Sequence, residues 1–155
     1  MPSQSLAISR IGPESDVLLR NLFEHYCHDM SEWFDVDVGA DGSYSYDTAS
    51  VWASGYEVYL AKVGAAIAGF AVIGAGDVRE FFVLRKFRRR GVGKQLAALL
   101  WNEHPGEWLV RVLEANAPAV HFWRTAISGY CVGSYQEERR VIDGRPWIFL
   151  RFIQA

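Results

Sequence analysis

The stretch Glu80-Phe81-Phe82-Val83-Leu84-Arg85-Lys86-Phe87-Arg88-Arg89-Arg90-Gly91-Val92-Gly93-Lys94-Gln95 decides the reading of this chain. It passes from an apolar strand through a basic loop to two glycines and then into a helix, whose next residues include Leu96, Leu99 and Leu100 on one face. Physically this is an anion cradle. Glycine lets the backbone approach a ligand closely, and the free N–H groups of a helix's first turn, with the helix dipole, attract phosphate. Arg88, Arg89 and Arg90 add local positive charge. A solvated surface run or a nucleic-acid patch is the alternative for the three arginines, but neither needs glycines two apart opening a helix. The P-loop pattern fails, because it requires Gly where Arg88 stands and Ser or Thr where Gln95 stands. The dinucleotide fingerprint fails as well, since Leu96 occupies the third glycine position and no opening βαβ unit precedes it.

Outward from this stretch the chain reads as alternating strands and helices. N-terminal to it, Leu6 to Arg10 forms a short strand and Gly12-Pro13-Glu14 starts a helix, with Val17, Leu18, Leu22, Phe23, Tyr26, Cys27 and Met30 on its apolar face. An acidic, glycine-containing loop spans Asp35 to Asp47, and a short helix follows over Thr48 to Ala53. Tyr56, Val58 and Leu60 alternate with Glu57, Tyr59 and Ala61 as a half-buried strand does. Val63-Gly64 turns into a partner strand, Ala65 to Ala75, before the strand Glu80 to Leu84. C-terminal to the cradle come a strand over Glu107 to Glu114, a helix over Pro118 to Ile127 capped by Asn116, and closing strands Tyr130 to Gln136 and Trp147 to Ile153 around an Asp143-Gly144 turn. The expectation is one α/β domain over residues 1–155 with mixed strand pairing.

Composition narrows the function classes. At 155 residues, 50% hydrophobic and 22% charged, the chain is an ordinary folded globule, not a disordered or fibrous one. A net charge of −2 argues against a protein devoted to nucleic acid, so any basic site is local. The longest uncharged apolar run, Val63 to Gly76, is 14 residues and shorter than the roughly 20 a membrane helix needs. Met1 to Leu6 has no secretory pattern, and Cys27 and Cys131 have neither zinc nor disulfide-framework spacing. These features predict a soluble cytoplasmic protein with two buried thiols, no metal, and no nucleic-acid or membrane partner.

A second segment joins the first. Asn116-Ala117-Pro118-Ala119-Val120-His121-Phe122-Trp123, ending at Gly129-Tyr130, follows the Arg88-x-x-Gly91-x-Gly93 loop at a fitting distance. Together the two segments resemble the acetyl-CoA site of the GNAT (Gcn5-related) N-acetyltransferases, in a bacterial branch where Phe-Trp-Arg replaces the usual Leu-Tyr. The resemblance covers roughly Tyr56 to the C-terminus. It implies a mixed sheet splayed between two central parallel strands, here Glu80 to Leu84 and Glu107 to Glu114, flanked by helices. It further implies that main-chain groups around Phe82, Val83 and Leu84 pair with the pantetheine arm of acetyl-CoA. Arg88, Arg89, Arg90, Gly91, Val92, Gly93 and Lys94 would hold its pyrophosphate, and Asn116 would lie beside the arm. The implied reaction moves an acetyl group from acetyl-CoA, a co-substrate, directly to a primary amine of a small molecule or peptide, by a monomer or homodimer. A non-catalytic acyl-CoA-binding or sensing module is the alternative.

Two residues are singled out for chemistry. Many family members place a tyrosine where this chain has Trp123, and an indole N–H hydrogen-bonds without titrating, so Trp123 either supports the thioester or is core. Glu80 is the candidate base for the acceptor amine, with a structural ion pair to an arginine as the plainer alternative and Asp77 as second choice. The cluster His25, Tyr26, His28, Asp29, Glu32, Trp33, Asp35 and Asp37 either attracts a cationic amine or is a solvated loop.

Overall fold

A computed structural model describes residues Ser5–Gln154; Met1 to Gln4, whose lack of a leader pattern was part of the sequence reading, lie outside the described residues. Seven strands form one sheet: β1 (Leu6–Ile11), β2 (Glu57–Val63), β3 (Ala66–Gly74), β4 (Asp77–Val83), β5 (Gly106–Leu113), β6 (Gln136–Ile142) and β7 (Arg145–Gln154). Four helices accompany them: α1 (Asp16–Met30), α2 (Thr48–Ala53), α3 (Val92–Glu103) and α4 (Ala117–Tyr130). The strand order is β1-β2-β3-β4-β5-β7-β6, antiparallel throughout except at β4–β5. This is the α/β single-domain architecture, with a mixed sheet split between two parallel strands, that the resemblance implied.

The split has a local cause. β4 and β5 pair only through Asp77↔Leu109 and Val78↔Val110. At the next residue a bulge interrupts the β3–β4 ladder, where Val72 faces Glu80 but Ile73 faces Val78, leaving Arg79 as the extra residue. A bulge bends its strand and increases local twist, so β4 turns away from β5 above this point. The closed end is pinned at Gly76, where φ is +69° and an added Cβ would sit 2.3 Å from the Glu107 carbonyl oxygen. Only glycine fits there.

The sheet is covered on both faces. One core contains Trp101, Trp108, Trp123, Leu96, Ile127 and Leu150 under α3 and α4, and the other contains Leu19, Leu22, Phe23, Phe70, Val72 and Phe82 under α1 and α2. The alternation in β2 therefore separates two cores and not core from solvent. Val58 and Leu60 enter the α1 side, Tyr59 and Ala61 the α3 side, and all four are buried.

Three further readings need correction. α1 begins one turn later than the Pro13 signal, after a 3-10 turn at Pro13–Ser15, which leaves Val17 62% exposed and buries Leu19 in its place. The helix α4 continues through Tyr130, because that ring packs on Trp101 at 4.9 Å and its hydroxyl donates to Asn102 at 2.6 Å, so β6 starts at Gln136 and not at Tyr130. Cys27 and Cys131 are half-buried free thiols, not fully buried ones. Among the described residues no helix is long and apolar enough to cross a membrane.

Candidate active site

The widening gap between β4 and β5 leads into a cleft of about 950 Å³ that also reaches the start of α3, the start of α4 and the end of α1. Of the residues singled out from sequence, Phe82, Val83, Arg88, Arg89, Gly91, Gly93, Lys94, Asn116 and Trp123 line it. Leu84, Arg90, Val92 and Glu80 do not: Val92 is a core residue, and Arg90 stands over the Phe87 ring at 5.8 Å.

The cradle is built by the loop into α3. Gly91 occupies the N-cap in the left-handed region, φ +76°, and no side chain caps the helix. The first intrahelical bond runs from the Gln95 N–H to the Gly91 carbonyl at 3.0 Å, so the N–H groups of Val92, Gly93 and Lys94 precede the ladder and have no intrahelical acceptor. The two glycines serve different ends. At Gly91 the demand is conformational, whereas at Gly93 an added Cβ would come within 2.9 Å of the Phe122 ring, so helix α3 could not approach α4. Phe122 in turn packs with Phe81 and Trp123, and Trp123 meets Phe81 at 4.7 Å, which floors the split with aromatic rings.

The edge of β4 offers a main-chain template. The Leu84 N–H donates to the Ala68 carbonyl at 2.8 Å. An antiparallel ladder alternates, so Phe82 likewise turns its polar groups to β3, while those of Phe81 and Val83 turn to the split. The Val83 carbonyl accepts from Arg88 Nε at 2.8 Å. Among Phe82, Val83 and Leu84, it is therefore Val83 whose backbone faces the cleft. Across the gap, the Asn116 side-chain oxygen accepts from the Ala119 N–H at 3.2 Å and so caps α4, a role worth about 1 kcal/mol. Its amide group remains at the cleft wall.

Arg88 has a second partner that sequence spacing did not reveal. Its guanidinium pairs with Asp29 at the end of α1, and Arg85 pairs with the other oxygen of the same carboxylate at 2.8 Å. Burial raises the Asp29 carboxyl, but Arg88 and Arg85 outweigh it and hold the group below the ordinary 3.8. Arg88 thus ties the cradle to α1 and to the β4 edge. One carboxylate offsets only one of the two guanidiniums on it, so the Arg85–Arg88 pair keeps a net positive charge at the cleft, to which Arg89 and Lys94 add. Asp29 being committed to two guanidiniums, it supplies no free charge to the cluster His25 to Asp37, and His28 lies 3.4 Å from the Tyr44 hydroxyl.

Glu80 lies on the sheet face opposite Phe81, under α1 and the loop that follows it. Arg79 and Arg111 both go to Asp77, at 3.3 and 2.7 Å, which occupies the second-choice base. Glu80 instead accepts from the Tyr46 hydroxyl at 3.3 Å. Burial pushes its carboxyl up, and Tyr26, Tyr46 and the nearby arginines only partly offset this.

The family model described as Acetyltransferase (GNAT) family matches residues 19–130. Solved structures of similar fold include the apo form of YjaB from Escherichia coli, 18% identical, with TM-score 0.64, covering 97% of this chain and 99% of that one. Another is yncA, a putative acetyltransferase from Salmonella typhimurium with acetyl-CoA, 16% identical, with TM-score 0.60 and coverage of 97% and 94%. A third is a Bacillus subtilis acetyltransferase in complex with CoA, 15% identical, with TM-score 0.64 and coverage of 97% and 100%. No curated protein matches the chain. With the family match running from α1 through the cradle to the last residue of α4, this chain belongs to the GNAT acetyltransferase family.

Proposed function

We propose that this protein moves an acetyl group from acetyl-CoA directly to a primary amine of a small molecule or peptide. The observation that carries this reading is the uncapped start of α3, whose free N–H groups open onto the same cleft as the edge of β4 at Val83, beyond its two-rung pairing with β5. A pyrophosphate fits the first and an amide-bearing arm fits the second. In this reading Gly91, Gly93, Arg89 and Lys94 hold the pyrophosphate, with Arg88, Arg90 and Val92 shaping the loop around it. Val83 and Asn116 flank the arm, and acetyl-CoA supplies the activated thioester. That solved relatives of the same fold are described with acetyl-CoA and with CoA supports the choice of co-substrate.

Direct transfer is supported by the only thiol near Glu80. Burial, with the charges of Glu24 and Glu80, pushes the Cys27 thiol up to about 11, and a protonated thiol is a poor nucleophile. Glu80 is the base we assign to the ammonium proton of the acceptor, acting directly or through water. Free thiols at Cys27 and Cys131 fit a reducing compartment, the cytoplasm in our reading. Mass spectrometry of an amine library incubated with the protein and acetyl-CoA tests the proposal, with a product 42 Da heavier than its amine, roughly one acetyl for one proton, as the expected result.

One observation favours a second reading, a non-catalytic acyl-CoA sensor. Trp123 is 7% exposed and packed against Phe81, Phe122 and Trp101, so no titrating side chain stands at that point. The sensor would bind acetyl-CoA in calorimetry and acetylate nothing in the library. For the enzyme, Trp123→Phe should cost no more than about tenfold in turnover, below the 10²–10⁴ range of a true general acid. A thousandfold loss with unchanged melting temperature would assign the indole a chemical role.

A further inference from the structure

The segment Tyr44–Tyr46, in the loop between α1 and α2, is held in place with more apparatus than a surface connection needs. The Glu24 carboxylate on α1 accepts from the Tyr44 N–H at 3.1 and 2.9 Å and from the Ser45 N–H at 3.2 Å. Ser45 then takes φ +48°, a left-handed conformation that a residue other than glycine seldom adopts and that marks a constrained site. This turn lays the Tyr46 ring flat on Phe23, with centroids 3.9 Å apart and planes 9° from parallel, and brings its hydroxyl to Glu80 Oε1. We infer that Tyr46 is a positioning residue for acetyl transfer, gripping the Glu80 carboxylate so that it is oriented and charged when the acceptor amine arrives. This rests on the reading of Glu80 as the base.

The physical basis is the opposition of two forces at one carboxylate. Removal from water disfavours the charge, while a donated hydrogen bond favours it. The titratable or charged groups that face Glu80 are Tyr26 and Cys27 from α1, Tyr46 from the loop, Arg79 from β4 itself and Arg111 from β5, while β3 sets the apolar Val72 opposite it. Both arginines are bonded to Asp77, so the Tyr46 hydroxyl is the direct donor. Sequence spacing carries no trace of this arrangement, because 34 residues separate Tyr46 from Glu80.

Tyr46→Phe keeps the stacked ring and removes only the donor. In protein carrying 13C at the glutamate δ carbons, the Glu80 resonance is assigned by its disappearance in Glu80→Gln and followed through a pH titration. Loss of one hydrogen bond to a charged group should raise the Glu80 midpoint by about one pH unit. Glu24→Gln, which loosens the strap without touching Glu80, should move it in the same direction by less. An unchanged midpoint in a folded Tyr46→Phe protein overturns the inference, even if Glu80→Gln is inactive. A shifted midpoint together with full turnover in Glu80→Gln would instead show that Tyr46 holds a carboxylate the reaction does not use, and both readings fall.

Discussion

Replacing Gly91 by glutamate should weaken coenzyme binding by about 30-fold or more while leaving the protein folded. The position sits at φ +76°, where a side chain costs about 1–2 kcal/mol, and the new carboxylate would stand where the pyrophosphate charge belongs. Leaving a charge opposed at such a contact costs about 2–5 kcal/mol, or roughly 30-fold to several-thousandfold in affinity. The fold should survive, since an added Cβ would have only Gln95 Nε2 nearby, at 3.9 Å, and an acid at the start of α3 suits the helix dipole. Calorimetric titration with acetyl-CoA measures the loss, and circular dichroism confirms the fold. Wild-type affinity in this variant would remove the cradle from the mechanism.

Glu80→Gln should lower turnover by roughly 10²-fold at neutral pH and leave acetyl-CoA affinity nearly unchanged. The pH profile gives the sharper signature. Glu80 has its carboxyl raised above the usual 4.5, so the wild-type rate should fall on the acid side at a pH above the ordinary carboxylate range, where the group takes up a proton and stops accepting one. The variant lacks that limb. Its rate should climb instead with the free-amine fraction, toward the roughly 10.4 of an alkylammonium. Stability provides a control with its own sign. A carboxyl whose folded value lies above its unfolded one favours folding when protonated and loses that contribution as pH rises through the folded value. At pH 7 the uncharged glutamine should therefore melt no lower than wild type. Full turnover at pH 7 would make Glu80 structural.

The cradle was legible because it announces itself locally, whereas the sheet split entered only through the family resemblance. A strand, a basic loop and Gly91-x-Gly93 are adjacent in sequence, and the cap at Asn116 lies one turn from the N–H it serves. What stayed hidden depends on distance along the chain. Nothing in the spacing of α1 indicates that Asp29 reaches Arg85 and Arg88, 56 and 59 residues away, or that Tyr46 reaches Glu80. The period of β2 was visible, but periodicity separates two faces without saying what covers each, so a strand that reads as half-buried has a second core on its Tyr59 and Ala61 face. Gly93 looked like a second backbone-freeing glycine, and only its contact with Phe122, a residue of another helix, explains it.

The two-rung junction between β4 and β5 also bears on how the molecule opens. Hydrogen bonding nearly stops there, so β1–β4 and β5–β7 are two ladders joined beyond it by the Asp77–Arg111 ion pair and by rings. Phe81 of β4 packs against Phe122 and Trp123 of α4, Trp123 against Trp101 of α3, and Trp101 against Phe152 of β7. Proteins open in cooperative units whose borders follow such weak seams. Native-state amide exchange should accordingly resolve two protection classes meeting at Val78 and Val110, and a single class across both ladders would contradict this. A molecule seated in the seam and touching both units binds only when they are together, so at a hundredfold excess over its dissociation constant it adds about 2.7 kcal/mol against their separation. Acetyl-CoA would then act as the missing rungs of the sheet, merging two exchange units into one for as long as it stays bound.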